Sequence, residues 1–275
     1  MCTPSAIEIA AAGLTRRDVL LLAAGAAAAA TVTGRASAAD APKTLAYRNV
    51  ADLTHVLSPT FPIWPGNAPI RITPHASVAK DGYFANRWEV GEHHGTHLDS
   101  PAHFVEGGTT AEKLPAAGFV APLAVIDIRE RIKRDTDAAL TIDDLLAWEK
   151  QHGKLPAGAA VFMNSGWADR AGTPATFLGT DRAGVLHFPG VAPEVCAFLV
   201  KDRTVGGVGV DTLSVDVGPS KEFASLKELL RAGKWILECV ANLGSVPPAG
   251  ATVFVGAPKV AGASGGPTRA LAVWG

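Results

Sequence analysis

Half of the histidines in this chain fall within eleven consecutive residues. Four of the eight are gathered there: His93, His94, His97 and His103. A helix through this segment is disfavoured because Gly95 and Pro101 are poor helix residues. On an extended chain the side chains alternate, so residues 93, 97, 99 and 103 share one face and residue 94 faces the other way. The segment therefore predicts an extended chain that gathers polar side chains on one side.

The residue types on that face suit a divalent metal ion. His93, His97 and Asp99 offer two imidazoles and a carboxylate within seven residues, which is a partial coordination sphere for zinc or manganese. Three protein ligands leave positions open for water, as in catalytic sites, whereas structural zinc sites are closed by four ligands. Gly95 removes bulk on the same face, so we expect it to leave room for an ion or a substrate. The alternative is a solvated, histidine-rich loop.

Residues 1–38 have the pattern of a targeting segment. A twin-arginine pattern at Arg16 and Arg17 precedes an apolar stretch over residues 19–32, and Ala36-Ser37-Ala38 is a small-residue cleavage site. The alternative, a membrane anchor, is disfavoured because fourteen apolar residues fall short of the ~20 that span a bilayer. We therefore predict export by the twin-arginine route to the periplasm or the cell exterior, with no membrane anchor after cleavage. The mature chain is then one domain over residues 39–275.

Charge and cysteine content exclude several classes of protein. The 25 Lys and Arg residues are offset by 26 Asp and Glu residues, so the net charge of −1 provides no basic excess for nucleic-acid binding. A chain that is 48% hydrophobic and 19% charged is too apolar to be disordered. Cys196 and Cys239 remain after removal of the signal, and either a disulfide or two buried free thiols are open alternatives.

Runs of β-branched or alternating residues bounded by Gly and Pro predict nine strands. They span residues 52–57, 70–73, 87–90, 123–128, 160–164, 205–210, 235–240, 252–255 and 269–274. Three helices are predicted, one capped by Thr141, one beginning at Pro193 and one over residues 222–232. The strands outnumber the helices and do not alternate with them regularly, and no GxGxxG or Walker pattern follows a strand. This pattern favours a single, strand-rich, mixed α/β domain.

The segment that begins at His93 reads HxGTHxDxPxH, which resembles the motif of the metal-dependent cyclase family of hydrolases, the group of kynurenine formamidase and isatin hydrolase. Similar segments extend over most of residues 39–275. They include Trp64-Pro65-Gly66, Ser165-Gly166-Trp167, Phe188-Pro189-Gly190-Val191, the run 209–216 and Ser264-Gly265-Gly266-Pro267-Thr268-Arg269. The resemblance implies the family's swivelling β/β/α fold and a homo-oligomer, either a dimer or a tetramer.

The same resemblance implies roles for individual residues. It implies that His93, His97 and Asp99 bind the metal and that His103 is the catalytic acid/base. It also aligns Glu238 with a metal-binding glutamate that follows a histidine by twelve residues in two-zinc formamidases. Leu226 stands at that earlier position and cannot donate to a metal, so we expect one divalent ion, zinc or manganese. Glu238 is then expected to hold the water at the metal or to bind the metal, with a purely structural hydrogen-bond acceptor as the alternative.

These residues predict metal-assisted hydrolysis of a small amide, an arylformamide or a cyclic amide. A divalent ion lowers the pKa of bound water to about 7 and polarises a carbonyl, and an imidazole with a pKa of about 6.5 at His103 suits proton transfer to the leaving nitrogen. Trp64 and Phe61 are candidates for a substrate pocket, with core packing as the alternative. Two other functions remain open: a non-catalytic metal-binding protein, and a lyase or cyclase of the same family.

Overall fold

The structure, a computed structural model, describes residues 44–275, and the targeting segment predicted over residues 1–38 lies outside them. The strands are β1 (Asn49–Asp52), β2 (Arg71–Ala76), β3 (Ala85–Glu89), β4 (His97–Asp99), β5 (Val120–Asp127), β6 (Ala139–Leu140), β7 (Ala160–Asn164), β8 (Gly190–Val191), β9 (Gly207–Val210), β10 (Trp235–Glu238), β11 (Ala251–Gly256), β12 (Gly265–Pro267) and β13 (Arg269–Trp274). The α-helices are α1 (Val78–Asp81), α2 (Arg129–Ile132), α3 (Ile142–His152), α4 (Pro174–Leu178), α5 (Pro193–Asp202) and α6 (Ala224–Arg231). Short 3-10 turns lie at Pro101–His103, Ala111–Lys113, Ala116–Phe119, Trp167–Arg170 and Leu243–Ser245.

Four parallel strands form the centre of a nine-stranded sheet. β5, β7, β9 and β10 lie side by side in that order, and every residue of β7, β9 and β10 is buried. Antiparallel strands extend the sheet on both sides. β11, β13 and β1 lie beyond β5, and β4 and β12 lie beyond β10. Two smaller sheets pair β2 with β3 and β6 with β8. The histidine segment therefore enters the main sheet at β4, between a buried parallel strand and an edge strand.

The longer helices cover one face of the parallel strands because each presents an apolar stripe. The hydroxyl of Thr141 accepts a hydrogen bond from the Asp144 amide in a capping box at the start of α3. Asp216 accepts hydrogen bonds from the first amides of α6. The stripe residues Leu145, Val195, Leu199, Leu229 and Leu230 share one core with Val161, Val208 and Ile236 of the sheet. None of the helices in the described part of the chain combines the length and apolar character needed to cross a membrane.

The prediction of a mixed α/β fold with more strands than helices is confirmed. The strands expected over residues 160–164 and 269–274 have those bounds in the structure. The strand expected over residues 52–57 is wrong, because β1 ends at Asp52. Two residues later the Thr54 hydroxyl accepts a hydrogen bond from the Ala270 amide and donates one to the Ala270 carbonyl oxygen. The Thr54 hydroxyl thus replaces the backbone-to-backbone hydrogen bonds with β13, and the strand ends.

Cys196 and Cys239 are free and buried, which decides between the two alternatives left open by the sequence. Cys196 lies on the apolar side of α5 within the helix-facing core. Burial raises the pKa of both thiols, so they remain protonated at neutral pH. They contribute to packing as small apolar side chains.

Candidate metal and active site

The pairing of β4 with β10 brings the carboxylate of a glutamate beside the histidine segment. His97 of β4 lies opposite Glu238 of β10, and Asp99 lies two residues further along β4. Opposed residues of antiparallel strands project from the same face, as do residues two apart in one strand. All three side chains therefore meet. His97 Nε2 lies 3.4 Å from Asp99 Oδ1 and 3.5 Å from Glu238 Oε2.

The chain turns over residues 93–96 and does not stay extended as predicted. Gly95 has φ +68°, in the left-handed region that favours glycine. A Cβ atom there would lie 2.7 Å from Leu57 Cδ1. Gly95 therefore forms a turn against Leu57, which corrects the expectation that it leaves room for an ion. The turn carries His93 back onto Asp99, with 2.6 Å between His93 Nδ1 and Asp99 Oδ1.

His93, His97 and Asp99 converge on one point. One ligand atom from each lies within 4.8 Å of the other two, and the described residues contain no second cluster of this kind. Asp99 is 1% exposed, and its Oδ2 atom is buried without a hydrogen-bond partner. A buried carboxylate oxygen without a partner is costly, and a divalent cation at this point would satisfy it. The structure thus brings the three predicted ligands together, and they fit a divalent metal ion.

Hydrogen bonds decide which ring nitrogen each histidine presents. His97 Nδ1 lies 2.9 Å from the Gly95 carbonyl oxygen, which only accepts, so Nδ1 carries the proton and Nε2 is free. His93 Nε2 lies 2.9 Å from Ser264 Oγ, and the Ser264 hydroxyl donates to Glu92 Oε2 at 2.5 Å. Because that hydroxyl has one proton, it accepts from His93, and Nδ1 of His93 remains for a metal. The two histidines therefore present different ring nitrogens to the same point.

The buried charges of the cluster attract positive charge. Burial alone would lower the pKa of His97, but the adjacent Asp99 carboxylate raises it well above its ordinary value. Burial would raise the pKa of Asp99, and the neighbouring His97 and His93 outweigh that effect and lower it. Burial and the Asp99 charge raise the pKa of Glu238. Protons and a divalent ion therefore compete for the same place.

Glu238 combines two of the roles that the sequence left open. Its Oε1 atom accepts a hydrogen bond from the Val215 amide at 2.9 Å, which is a structural contact. Its Oε2 atom faces His97 Nε2, the nitrogen that is free for a metal. One oxygen thus anchors the side chain, and the other is directed at the point where the donors meet.

His103 lies beside the donor cluster without joining it. The 3-10 turn Pro101–His103 follows β4 directly, and the His103 ring stacks on His93 with centroids 3.7 Å apart and planes at 22°. Burial lowers the pKa of His103 to about 4; Asp99 opposes this shift, and His93 and His97 add to it. The imidazole is therefore neutral at pH 7 and can accept a proton.

A cavity of about 290 Å³ opens onto the cluster and has two unlike halves. The polar half contains His93, His97, His103 and Glu238, and the polar residues Asn67 and Ser214 also line the cavity. The apolar half contains Trp64, Phe104, Leu213, Phe223 and Leu226. The Phe223 ring lies between the other two aromatic rings, 5.9 Å from Trp64 and 5.5 Å from Phe104. None of these lining residues is Lys or Arg.

The structure separates the two aromatic residues that we predicted for a pocket. Trp64 lines the cavity, whereas Phe61 does not. Phe61 is buried in the core, with its ring 5.4 Å from His55 and 6.0 Å from Phe177. Phe61 is therefore a core residue in this structure, and the expectation that it lines the pocket is corrected. Leu226 also lines the cavity, together with Glu238. Leu226 stands at the position that we aligned with the additional metal-binding histidine of two-zinc formamidases.

Sequence reasoning missed several residues that shape the site. Ser264 lies in one of the segments that carry the family resemblance, but only the fold shows that the residue, directly before β12, reaches His93. Phe223 has φ +51°, an uncommon backbone conformation for a residue other than glycine. No local sequence pattern marks it, or Phe104, as a cavity residue.

The mixed sheet thus carries a candidate His-His-Asp metal site beside the imidazole of His103, and the chain is similar to several known proteins. The chain matches the family model described as "Putative cyclase" over residues 51–217. It is 34% identical over 241 residues to isatin hydrolase of Roseibium aggregatum, covering 82% of this chain and 91% of that protein. It is 28% identical to kynurenine formamidase of Geobacillus thermodenitrificans, covering 68% of this chain and 79% of that protein. The solved structure of isatin hydrolase A from Ralstonia solanacearum matches with a TM-score of 0.78 and 32% identity, over 100% of this chain and 99% of that chain.

The chain belongs to the cyclase family. The resemblance seen in the HxGTHxDxPxH segment and the mixed α/β fold are both confirmed by these matches. The expectation of a hydrolytic enzyme is confirmed, because the relatives are an isatin hydrolase and a kynurenine formamidase. The division into residues 1–38 and 39–275 stays a prediction.

Proposed function

We propose that this protein is a metal-dependent hydrolase that cleaves the C–N bond of a small, neutral aryl or cyclic amide. The observation that carries the proposal is the convergence of His93, His97 and Asp99, with its unpaired Oδ2, beside the neutral imidazole of His103. One divalent ion, zinc or manganese, would be held by these three residues. It would supply Lewis acidity to the substrate carbonyl and to a water molecule.

The remaining chemistry belongs to side chains. Hydrolysis adds water to the carbonyl carbon and breaks the C–N bond, so one proton must leave the water and one must reach the nitrogen. The pKa of His103, lowered to about 4 by burial, leaves its imidazole ready to accept the first proton and pass it to the leaving nitrogen. Glu238 Oε1 is held by the Val215 amide, so Oε2 is positioned to orient the attacking water.

The apolar half of the cavity favours a flat, uncharged substrate. Trp64, Phe104 and Phe223 offer ring faces and edges. An amino-acid substrate such as N-formylkynurenine carries a carboxylate, and the cavity lining has no Lys or Arg to pair with it. Leu226 adds apolar surface beside Glu238. These features, with the 34% identity to an isatin hydrolase, support a lactam such as isatin over a formylated amino acid.

The proposal is tested by metal analysis of the purified protein together with turnover of isatin and of N-formylkynurenine. We expect one ion per chain, isatin turnover that a chelator abolishes, and much weaker formamidase activity. Two ions with dominant formamidase activity would overturn both the single-ion and the substrate proposals. A metal-loaded protein that turns over neither compound would favour a non-catalytic metal binder. A product that has gained no water would favour a lyase or cyclase.

We also propose that the protein is exported by the twin-arginine route to the periplasm or beyond. The support is the pattern of Arg16, Arg17 and the Ala36-Ser37-Ala38 site. A fusion of residues 1–38 to a reporter that requires export should be active outside the cytoplasm. The matched double variant Arg16→Lys, Arg17→Lys should keep the reporter inside. Equal export of both fusions would contradict the proposal.

A further inference from the structure

Thr96 lies at the point where β4 and β10 stop pairing. The two strands pair as far as His97 and Glu238, the first residue of β4 and the last residue of β10. One residue beyond that pair, the Thr96 hydroxyl donates a hydrogen bond to the Cys239 carbonyl oxygen at 2.6 Å. A side-chain hydrogen bond thus closes the paired region directly beside two groups of the candidate metal site.

The same residue is bonded to two further segments of the chain. The Thr96 hydroxyl oxygen accepts a hydrogen bond from the His55 amide at 2.9 Å, and the Thr96 carbonyl oxygen accepts one from the Thr268 amide at 2.8 Å. Thr96 is 3% exposed, so water has little access to replace these partners. Three separate segments therefore hold one residue in place.

The fixed position of Thr96 sets the direction of the His97 ring. Thr96 lies between His97 and Gly95, whose carbonyl oxygen is 2.9 Å from His97 Nδ1. A rotation of the backbone at Thr96 would move that carbonyl oxygen relative to the ring. Because Thr96 is held, Nε2 of His97 stays directed at the point where the donors meet.

On the neighbouring strand, the residue after Glu238 has an uncommon backbone conformation. Cys239 has φ +53°, in the left-handed region that is costly for a residue with a side chain. Such a conformation persists only where the surrounding structure holds it. Here the Cys239 amide donates to the Thr212 carbonyl oxygen at 2.9 Å, and the Cys239 carbonyl oxygen accepts from Thr96. Both peptide groups of Cys239 are therefore fixed by hydrogen bonds.

We propose that Thr96 is a positioning residue that fixes the metal ligand His97 against Glu238. Without the hydroxyl, the Cys239 carbonyl oxygen and the His55 amide would each lose a partner, and the ends of β4 and β10 would be free to separate. His97 Nε2 and Glu238 Oε2, which lie 3.5 Å apart, would then lose their relative directions. This inference rests on the proposed metal site but not on the identity of the substrate.

A purely structural threonine would have a different effect. It would contribute to the free energy of unfolding and leave the metal affinity of the folded protein unchanged. Thr141 is such a residue: its hydroxyl accepts from the Asp144 amide and donates to the Asp144 carboxylate at the start of α3, and it does not line the cavity. Thr141→Val is therefore a matched control, because it also removes one accepted and one donated hydrogen bond.

Thr96→Val, which keeps the size of the side chain and removes the hydroxyl, tests the proposal. Competition with a chelator for Zn²⁺ should show about 10–100-fold weaker binding, the usual effect of removing a residue that orients a metal ligand. At saturating Zn²⁺, kcat for an aryl lactam should fall about tenfold or more with KM little changed, because the aromatic wall is untouched. Thr96→Ser keeps the hydroxyl and should recover most of both values. Thr141→Val should have a lower thermal midpoint and unchanged Zn²⁺ affinity.

Three results would overturn the proposal. One is wild-type affinity for Zn²⁺ in Thr96→Val. Another is equal weakening in Thr96→Val and Thr141→Val, which would indicate a general loss of stability. The third is a Thr96→Ser variant as impaired as Thr96→Val, because the hydroxyl would then not be the group that acts. If Thr96→Val fails to fold, Thr96→Ala gives the same comparison with Thr96→Ser.

The Zn²⁺ affinities also separate this inference from the proposed reaction. A wild type that binds Zn²⁺ but turns over no amide would contradict the hydrolase proposal, and the affinities of the Thr96 variants would still decide the role of this residue. A wild type that binds no divalent ion would overturn both.

Discussion

The two halves of the cavity are held in place by different physical means. In the polar half three side chains each have a hydrogen bond that fixes their direction: the Gly95 carbonyl oxygen for His97, the Ser264 hydroxyl for His93 and the Val215 amide for Glu238. In the apolar half the rings of Trp64, Phe104 and Phe223 hold one another by packing alone. Hydrogen bonds thus fix the direction of the polar side chains, whereas the packing of rings alone sets the shape of the apolar half.

The largest expected effect comes from removing a ligand charge in the polar half. Asp99→Asn keeps the volume of the side chain but replaces the anion by a neutral amide. We expect bound metal to be lost and turnover to fall to the uncatalysed rate. Metal content and activity are measured together, with the exposed Asp127→Asn as the control. Normal turnover by a metal-free Asp99→Asn protein would contradict the assignment of the chemistry to the metal-binding residues of the polar half.

His103→Ala is expected to have the next largest effect. The variant should keep its metal, because His103 lies outside the donor cluster. Its turnover should fall by about 10²–10⁴, the usual contribution of a positioned acid/base. The surface variant His152→Ala serves as the matched control. Loss of metal in parallel with activity would show instead that His103 is a ligand.

Ser264→Ala tests whether hydrogen bonds orient the polar half. Without the serine hydroxyl, the hydrogen bond that holds the proton on His93 Nε2 is lost, so Nδ1 is less available to a metal. We expect the metal to bind about 10–100-fold more weakly, as for other residues that orient a metal-binding histidine. Competition with a chelator measures this, and the exposed Ser245→Ala provides the comparison. Unchanged affinity would contradict the assigned ring nitrogen.

The smallest effect is expected in the apolar half. Phe223→Leu removes a ring that packs between two others but leaves an apolar side chain. We expect KM for an aryl amide to rise about fivefold, with kcat little changed, since one aromatic contact contributes about 1 kcal/mol. The half-buried Phe254→Leu on β11 is the control. A fall in kcat at constant KM would place Phe223 with the chemistry.

The metal cluster was predictable because its residues are close in sequence. His93, His97 and Asp99 lie within seven residues, so spacing alone shows that they can meet. The path of the backbone was not predictable in the same way. The expected extended chain gives way to a turn at Gly95, because a left-handed glycine and the Leu57 side chain are recognised only in the fold. The residues that meet were thus predicted together, but on an incorrect backbone path.

The apolar half shows where sequence reasoning fails. Trp64 and Phe61 were both candidates for the pocket, and tertiary packing places Trp64 at the cavity and Phe61 in the core. Phe223 and Phe104 reach the cavity from distant parts of the chain, and no periodicity records that meeting. β4 and β12 were missed because they are three residues long and are stabilised by their neighbours in the sheet.

The shortness of β4 has a consequence for how this family can change over time. Side chains alternate along a strand, so inserting or deleting a single residue between Gly95 and Asp99 would turn the donors toward the opposite core and bring Leu98 to the cavity. Point substitutions in the apolar wall change one contact at a time, whereas a one-residue length change in this strand removes the whole cation-binding centre at once. Variation in length is therefore expected in the surrounding loops and not in this segment.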